Sequence, residues 1–189
     1  MTRSLKIALA AGTAALLAGC AQSASIPHNY VADTYDFTYL GYAAGRGGML
    51  TEVVGNPFDA PKPAVDTAVT ETLEASHFGP RLPFFTEPPA DYRPSYRTVV
   101  LFNPAPGADA ARLCGQPNQP QAPRDGRVGV LAAFCSGSDR INSAGGSVAG
   151  AQGPDDPAFR GLLRQVSLAL FPVPAADQIR GSGDHFRVR

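Results

Sequence analysis

Thr98-Val99-Val100-Leu101-Phe102-Asn103 puts Val99 and Leu101 on one side of an extended chain and Val100 and Phe102 on the other. A strand that is apolar on both faces needs cover on both, so this segment is expected in the interior of a sheet. Residues 127–134 make a natural neighbour. There Val128, Val130, Ala132 and Phe134 mark one face and Leu131 and Ala133 the other. A third strand is expected at residues 49–54, between the breakers Gly45-Arg46-Gly47-Gly48 and Gly55-Asn56-Pro57.

Two helices complete the core pattern. Val65, Val69 and Leu73 recur every four positions with Ala68 and Thr72 beside them, while Glu71 and Glu74 fall on the polar side. Pro63 suits the first turn of this helix, and Gly79-Pro80 suits its stop. The second helix opens with Asp156 as cap and Pro157 in the first turn, and its stripe is Phe159, Leu162, Leu163, Val166 and Leu170, ending before Pro172.

Between these elements the composition is irregular. Residues 80–94 hold five prolines around Phe84 and Phe85, which predicts a stiff extended connection whose two rings dock on the domain. The connection after Pro104 carries Pro117, Pro120 and Pro123. Residues 136–153 hold five Gly and four Ser, with little to bury, and are expected to form a mobile loop. In the tail beyond residue 173, Phe186 and Val188 are candidates for a small edge strand.

The fold expected is therefore α+β: a small sheet of about 3–5 strands with two helices packed on one face and long Pro/Gly-rich loops. The chain has 189 residues, 44% hydrophobic and 17% charged, with 20 Gly and 18 Pro. That suits one modest domain, residues 30–189, and excludes a large multidomain enzyme. No repeat marks a solenoid or propeller.

At the N-terminus Arg3 and Lys6 precede an apolar run, residues 7–19, that ends in Leu17-Ala18-Gly19-Cys20. The run has thirteen residues, short of the roughly 20 that span a hydrocarbon core as a helix, and has the layout of an export signal. Leu17-Ala18-Gly19-Cys20 resembles the lipobox of bacterial lipoproteins. The resemblance implies removal of residues 1–19, acylation of the Cys20 thiol, and a tether over residues 20–29. Ala21, rather than Asp, after that cysteine implies the outer membrane, facing the periplasm. The mature chain would carry 14 basic and 16 acidic residues, a formal charge of −2. Its arginines are scattered, with Lys62 the one lysine, so a nucleic-acid partner is not expected.

Cys114 and Cys135 remain, an even pair in a chain bound for an oxidising compartment, and are expected to form a disulfide worth roughly 3 kcal/mol in the chain-entropy model. A zinc site lacks ligand spacing, because His28, His77 and His185 stand far apart and no Cys-x-x-Cys occurs. No cofactor motif is present, since neither Gly-rich segment continues as a phosphate loop.

Function is less legible. Tyr35, Phe37 and Tyr39 alternate with Asp36, Thr38 and Leu40, a period of two that predicts three rings on one side of a strand. Those rings are either a contact surface for an envelope protein or glycan, or an edge strand packed on the core. For an enzyme, Ser136 at a strand end, with Asp139 and a distant His77 or His185, would serve a small hydrolase, though no Gly-x-Ser-x-Gly elbow surrounds it. Acids such as Asp33, Asp36, Glu52 and Glu87 single out no pair, and Asp155-Asp156 is explained as a helix cap. The expectation is a noncatalytic binding or structural module held to the membrane by its lipid, with the hydrolase as alternative.

Overall fold

The computed structural model describes residues 24–123 and 125–173. Among these residues the elements run β1 (Ser25–Val31), α1 (Thr38–Gly45), β2 (Met49–Val54), α2 (Lys62–Ser76), β3 (Phe84–Phe85), β4 (Tyr96–Phe102), β5 (Arg127–Ser136), β6 (Asp139–Ala149) and α3 (Pro157–Leu170). The strands form one mixed sheet in the order β1-β6-β5-β4-β2-β3. β2 pairs in parallel with β3 and β4, while the β4–β5, β5–β6 and β6–β1 pairs are antiparallel.

The doubly apolar β4 lies inside the sheet, between β2 and β5. Its Val100 and Phe102 join Val128, Val130, Ala132 and Phe134 of β5 beneath a helical layer made by Leu40 and Ala43 of α1, Val65 and Val69 of α2, and Phe159, Leu162 and Val166 of α3. The opposite face carries Val99, Leu101, Leu131 and Ala133, and is covered by Ala110, Leu113 and Cys114 of the connection between β4 and β5. Burial on both faces is what the alternation along both strands requires. Helix α3 starts as its sequence dictates: the Asp156 carboxylate accepts from the Ala158 N–H at 2.8 Å, a cap worth about 1 kcal/mol.

The Cys114–Cys135 disulfide is formed, with Cα atoms 5.7 Å apart. It fastens the irregular connection to the end of β5, where the Arg97 guanidinium also donates to the Cys114 carbonyl. No helix among the described residues is long and apolar enough to cross a membrane.

The small sheet of 3–5 strands with two helices is corrected to six strands and three helices. Three differences account for this. The stretch assigned to a tether over residues 20–29 contains most of β1, which pairs with β6 from Ser25 to Val31. Within the expected mobile loop over residues 136–153 lies β6, an 11-residue strand with partners on both sides. Its Gly-Ser composition reflects crowding rather than freedom: a Cβ on Gly146 would stand 2.1 Å from the Ser25 carbonyl oxygen and 2.6 Å from the Ile26 side chain. Glycine inside a strand marks such a close backbone approach. The third difference is α1, which replaces the aromatic strand expected at Tyr35, Phe37 and Tyr39. Phe84 and Phe85 do dock, as a two-residue strand against Met49 and Leu50. The edge strand expected at Phe186 and Val188 falls outside the described residues.

Candidate functional site

The turn after β1 delivers the chain to one end of the sheet. There the Asp36 carboxylate accepts from the Thr38 N–H at 2.8 Å, satisfying one free donor at the start of α1. The Thr38 backbone N–H, and then its side chain, hold the Asp36 carboxyl below its ordinary range. Leu40 and Ala43, three apart, carry α1 into the core.

The rings then form a cap over the ends of β4 and β5. Tyr39 stacks on Tyr96 with centroids 5.1 Å apart, and Tyr42 meets the same ring edge-on at 5.9 Å. Tyr35 stands edge-on to Tyr39 at 6.3 Å and to Phe134 at 6.4 Å. Phe134 in turn lies 5.3 Å from both Tyr96 and Phe171. Phe37 rests against Gly79, beyond the end of α2. The outermost ring is Tyr42, 54% exposed, with the Arg46 guanidinium 5.6 Å from its centroid. Arg46 is steadied by a bond to the Pro94 carbonyl at 3.4 Å.

Burial, reinforced by the charge of Asp36, pushes the Tyr35 phenol far above its ordinary range. Burial, then Tyr39 and Tyr42, push Tyr96 up as well. These phenols therefore stay protonated at neutral pH, and the buried Tyr35 hydroxyl has no hydrogen-bond partner among the described residues.

Tyr35, Phe37 and Tyr39 thus come together with the domain rather than standing out as a platform; all three are partly buried against the core. Tyr42 carries the exposure, and Tyr96, from a strand 54 positions further on in sequence, completes the cluster. The available signal was helical: Tyr35, Tyr39 and Tyr42 are spaced by four and three, which places rings on one helical side as readily as a period of two places them on a strand.

Ser136 closes β5 opposite Asp139 in a two-residue hairpin. Gly137, at the first central position with φ +59, sits where a type II′ turn needs it. No hydrogen bond joins Ser136 to a histidine among the described residues; His77 Nδ1 meets the Phe78 carbonyl at 3.0 Å and His28 Nε2 meets Ser143 Oγ at 2.9 Å. His185 and Cys20 lie outside the described residues. Glu52 stands 4.0 Å from Arg97, and Glu87 lines a groove beside α2 and β3 with Asp66.

Among the described residues no group of three or more His, Cys, Asp or Glu could hold a metal ion. A groove of about 560 Å³ runs between α2 and α3. Its Arg160 is engaged by Glu71 of α2 at 3.1 Å and by Asp155, ahead of α3, at 2.9 Å.

No protein-family model matches the chain, and no curated protein matches it. Among solved structures it is similar to the PelC dodecamer from Paraburkholderia phytofirmans, at 14% identity over 81% of this chain and 100% of that one, with a TM-score of 0.44. A point variant of the same dodecamer gives 14% identity over 78% and 98%, again with a TM-score of 0.44. At that level the likeness says nothing about what this chain does.

Proposed function

We propose that the protein is an envelope lipoprotein, acylated at Cys20 and held at the outer membrane facing the periplasm, whose domain works by contact rather than catalysis. The observation that carries this reading is the tetrapeptide Leu17-Ala18-Gly19-Cys20 after a thirteen-residue apolar run, placed five positions before the first strand at Ser25. The Cys114–Cys135 disulfide supports it, because such bonds persist in oxidising compartments. Several acyl chains on one cysteine hold firmly, since each buried CH₂ is worth about 0.8 kcal/mol. Metabolic labelling with a fatty acid tests the anchor: the wild type takes up label and is cut before Cys20, whereas Cys20→Ser accumulates as unlabelled precursor. Equal labelling of the two overturns the reading.

The aromatic end is the contact surface in this proposal, for an envelope protein or glycan. Tyr42 is the exposed ring there, packed on Tyr96 beneath it, and the Arg46 guanidinium lies over it. Tyr42→Ser is expected to weaken crosslinking to the partner in cells while leaving the melting temperature nearly unchanged. Tyr35→Ser is expected to lower the melting temperature by several degrees, because its ring abuts buried Phe134. Unchanged crosslinking in Tyr42→Ser, with the domain still folded, removes this end from the interface.

A further inference from the structure

We infer that the free edge of β1 lies along the membrane, with Tyr30 and Arg140 meeting the headgroups of anionic phospholipid. This rests on the proposal that Cys20 is acylated. Four residues separate Cys20 from Ser25, five Cα steps in all, so the extended chain reaches at most ~18 Å. β1 is itself seven residues long, about 23 Å at the rise of a strand. The tether is therefore shorter than the strand it feeds. It leaves the domain two attitudes, upright on the start of β1 or lying along its edge.

The chemistry of the edge favours lying down. Tyr30, 40% exposed, and Val31, 37% exposed, close the far end of β1 and point to opposite faces of the sheet. The Arg140 guanidinium carbon packs 3.8 Å from the Tyr30 ring centroid, joining an apolar ring to a cation in the way interfacial residues do. Arg140 is held in place by Ser143 Oγ at 3.4 Å, which His28 Nε2 also contacts at 2.9 Å. At the tether end Arg127 bonds Ser147 Oγ at 2.7 Å, one strand in from Ser25. Neither arginine has a carboxylate within ion-pair distance among the described residues. Asp139 precedes Arg140 and Asp125 accepts from the Arg127 backbone N–H, so two acids border the surface.

The edge is also poorly made for another protein strand. Pro27 lacks an N–H, and the register shifts between Ser25 and His28. Proline and bulges are how sheet edges avoid adding strands. A free bilayer would hold so few charges weakly. With the anchor already inserted, however, headgroup contact becomes intramolecular, and a few-fold preference per arginine is enough to set the attitude.

The chain contains no tryptophan, so single Tyr30→Trp and Tyr42→Trp variants of the acylated full-length protein report two positions cleanly. Each is reconstituted into vesicles of phosphatidylcholine, with or without phosphatidylglycerol, whose acyl chains are brominated near the headgroup. Tyr30→Trp emission is expected to fall about two-fold or more in the phosphatidylglycerol vesicles and to recover when Arg140→Gln is added; Tyr42→Trp is expected to change little. Vesicle-bound protein with unquenched Tyr30→Trp overturns the inference and leaves the lipid anchor intact. Quenching that ignores both phosphatidylglycerol and Arg140→Gln overturns the headgroup recognition. A Tyr30→Trp variant shielded from an aqueous quencher yet untouched by brominated lipid means that a second copy or another protein covers the edge. Protein that does not float with vesicles removes the anchor, and this inference with it.

Discussion

Phe134→Ala is expected to cost about 3–5 kcal/mol of unfolding free energy, a large share of the ~5–15 kcal/mol typical of a domain. The ring is fully buried and is the meeting point of three parts of the fold. It touches Tyr96 at 5.3 Å, Phe171 beyond the end of α3 at 5.3 Å, and Tyr35 ahead of α1 at 6.4 Å. Removing it leaves a cavity that no single neighbour can fill, because each is fixed to a different element. The aromatic end should loosen with the core, so hydrogen exchange at residues 38–45 should quicken more than at residues 157–170. Urea denaturation measures the main effect, and a loss below ~1 kcal/mol would show that the rings close over the gap.

Loss of the Cys114–Cys135 bond comes next. The cysteines are 21 positions apart, and releasing a loop of that length should destabilise the domain by roughly 3 kcal/mol. The consequence reaches beyond chain entropy. The connection fastened by Cys114 supplies Ala110 and Leu113, which cover Val99, Leu101 and Leu131 on the sheet face away from the helices. In the Cys114→Ala, Cys135→Ala double variant that cover should lift intermittently, exposing apolar surface to a dye and bringing the melting midpoint down by about 10 °C. A midpoint that is the same with and without reductant would mean that the apolar contacts alone retain the cover.

The parts of the fold that were legible carry their own evidence in local chemistry. β4 and β5 show alternation whose two faces are both apolar, and they proved to be adjacent inner strands. α2 has apolar residues four apart, while α3 has a cap, a first-turn proline and a stripe. Asp156 bonds Ala158, two positions on, so its signal is local in sequence. The expected site was less legible. Tyr35, Phe37 and Tyr39 satisfy a strand period over a few residues, yet Leu40 and Ala43 anchor the following segment as a helix.

By itself, then, the sequence determined the buried pair of inner strands and the two longer helices, because each depends on periodicity or capping; the pairing of Cys114 with Cys135 followed only once Cys20 was set aside on the lipobox resemblance. Tertiary structure alone decided β1, β6 and the aromatic end. β6 is a strand because Gly145 and Gly146 admit the Leu131 side chain on one face and the Ser25 carbonyl and Ile26 on the other, and because neighbours on both sides pair with its backbone. Composition reads those glycines as freedom. Only the strands that press against them turn the same residues into close packing, since a missing side chain stabilises a strand when another part of the chain occupies the space it leaves.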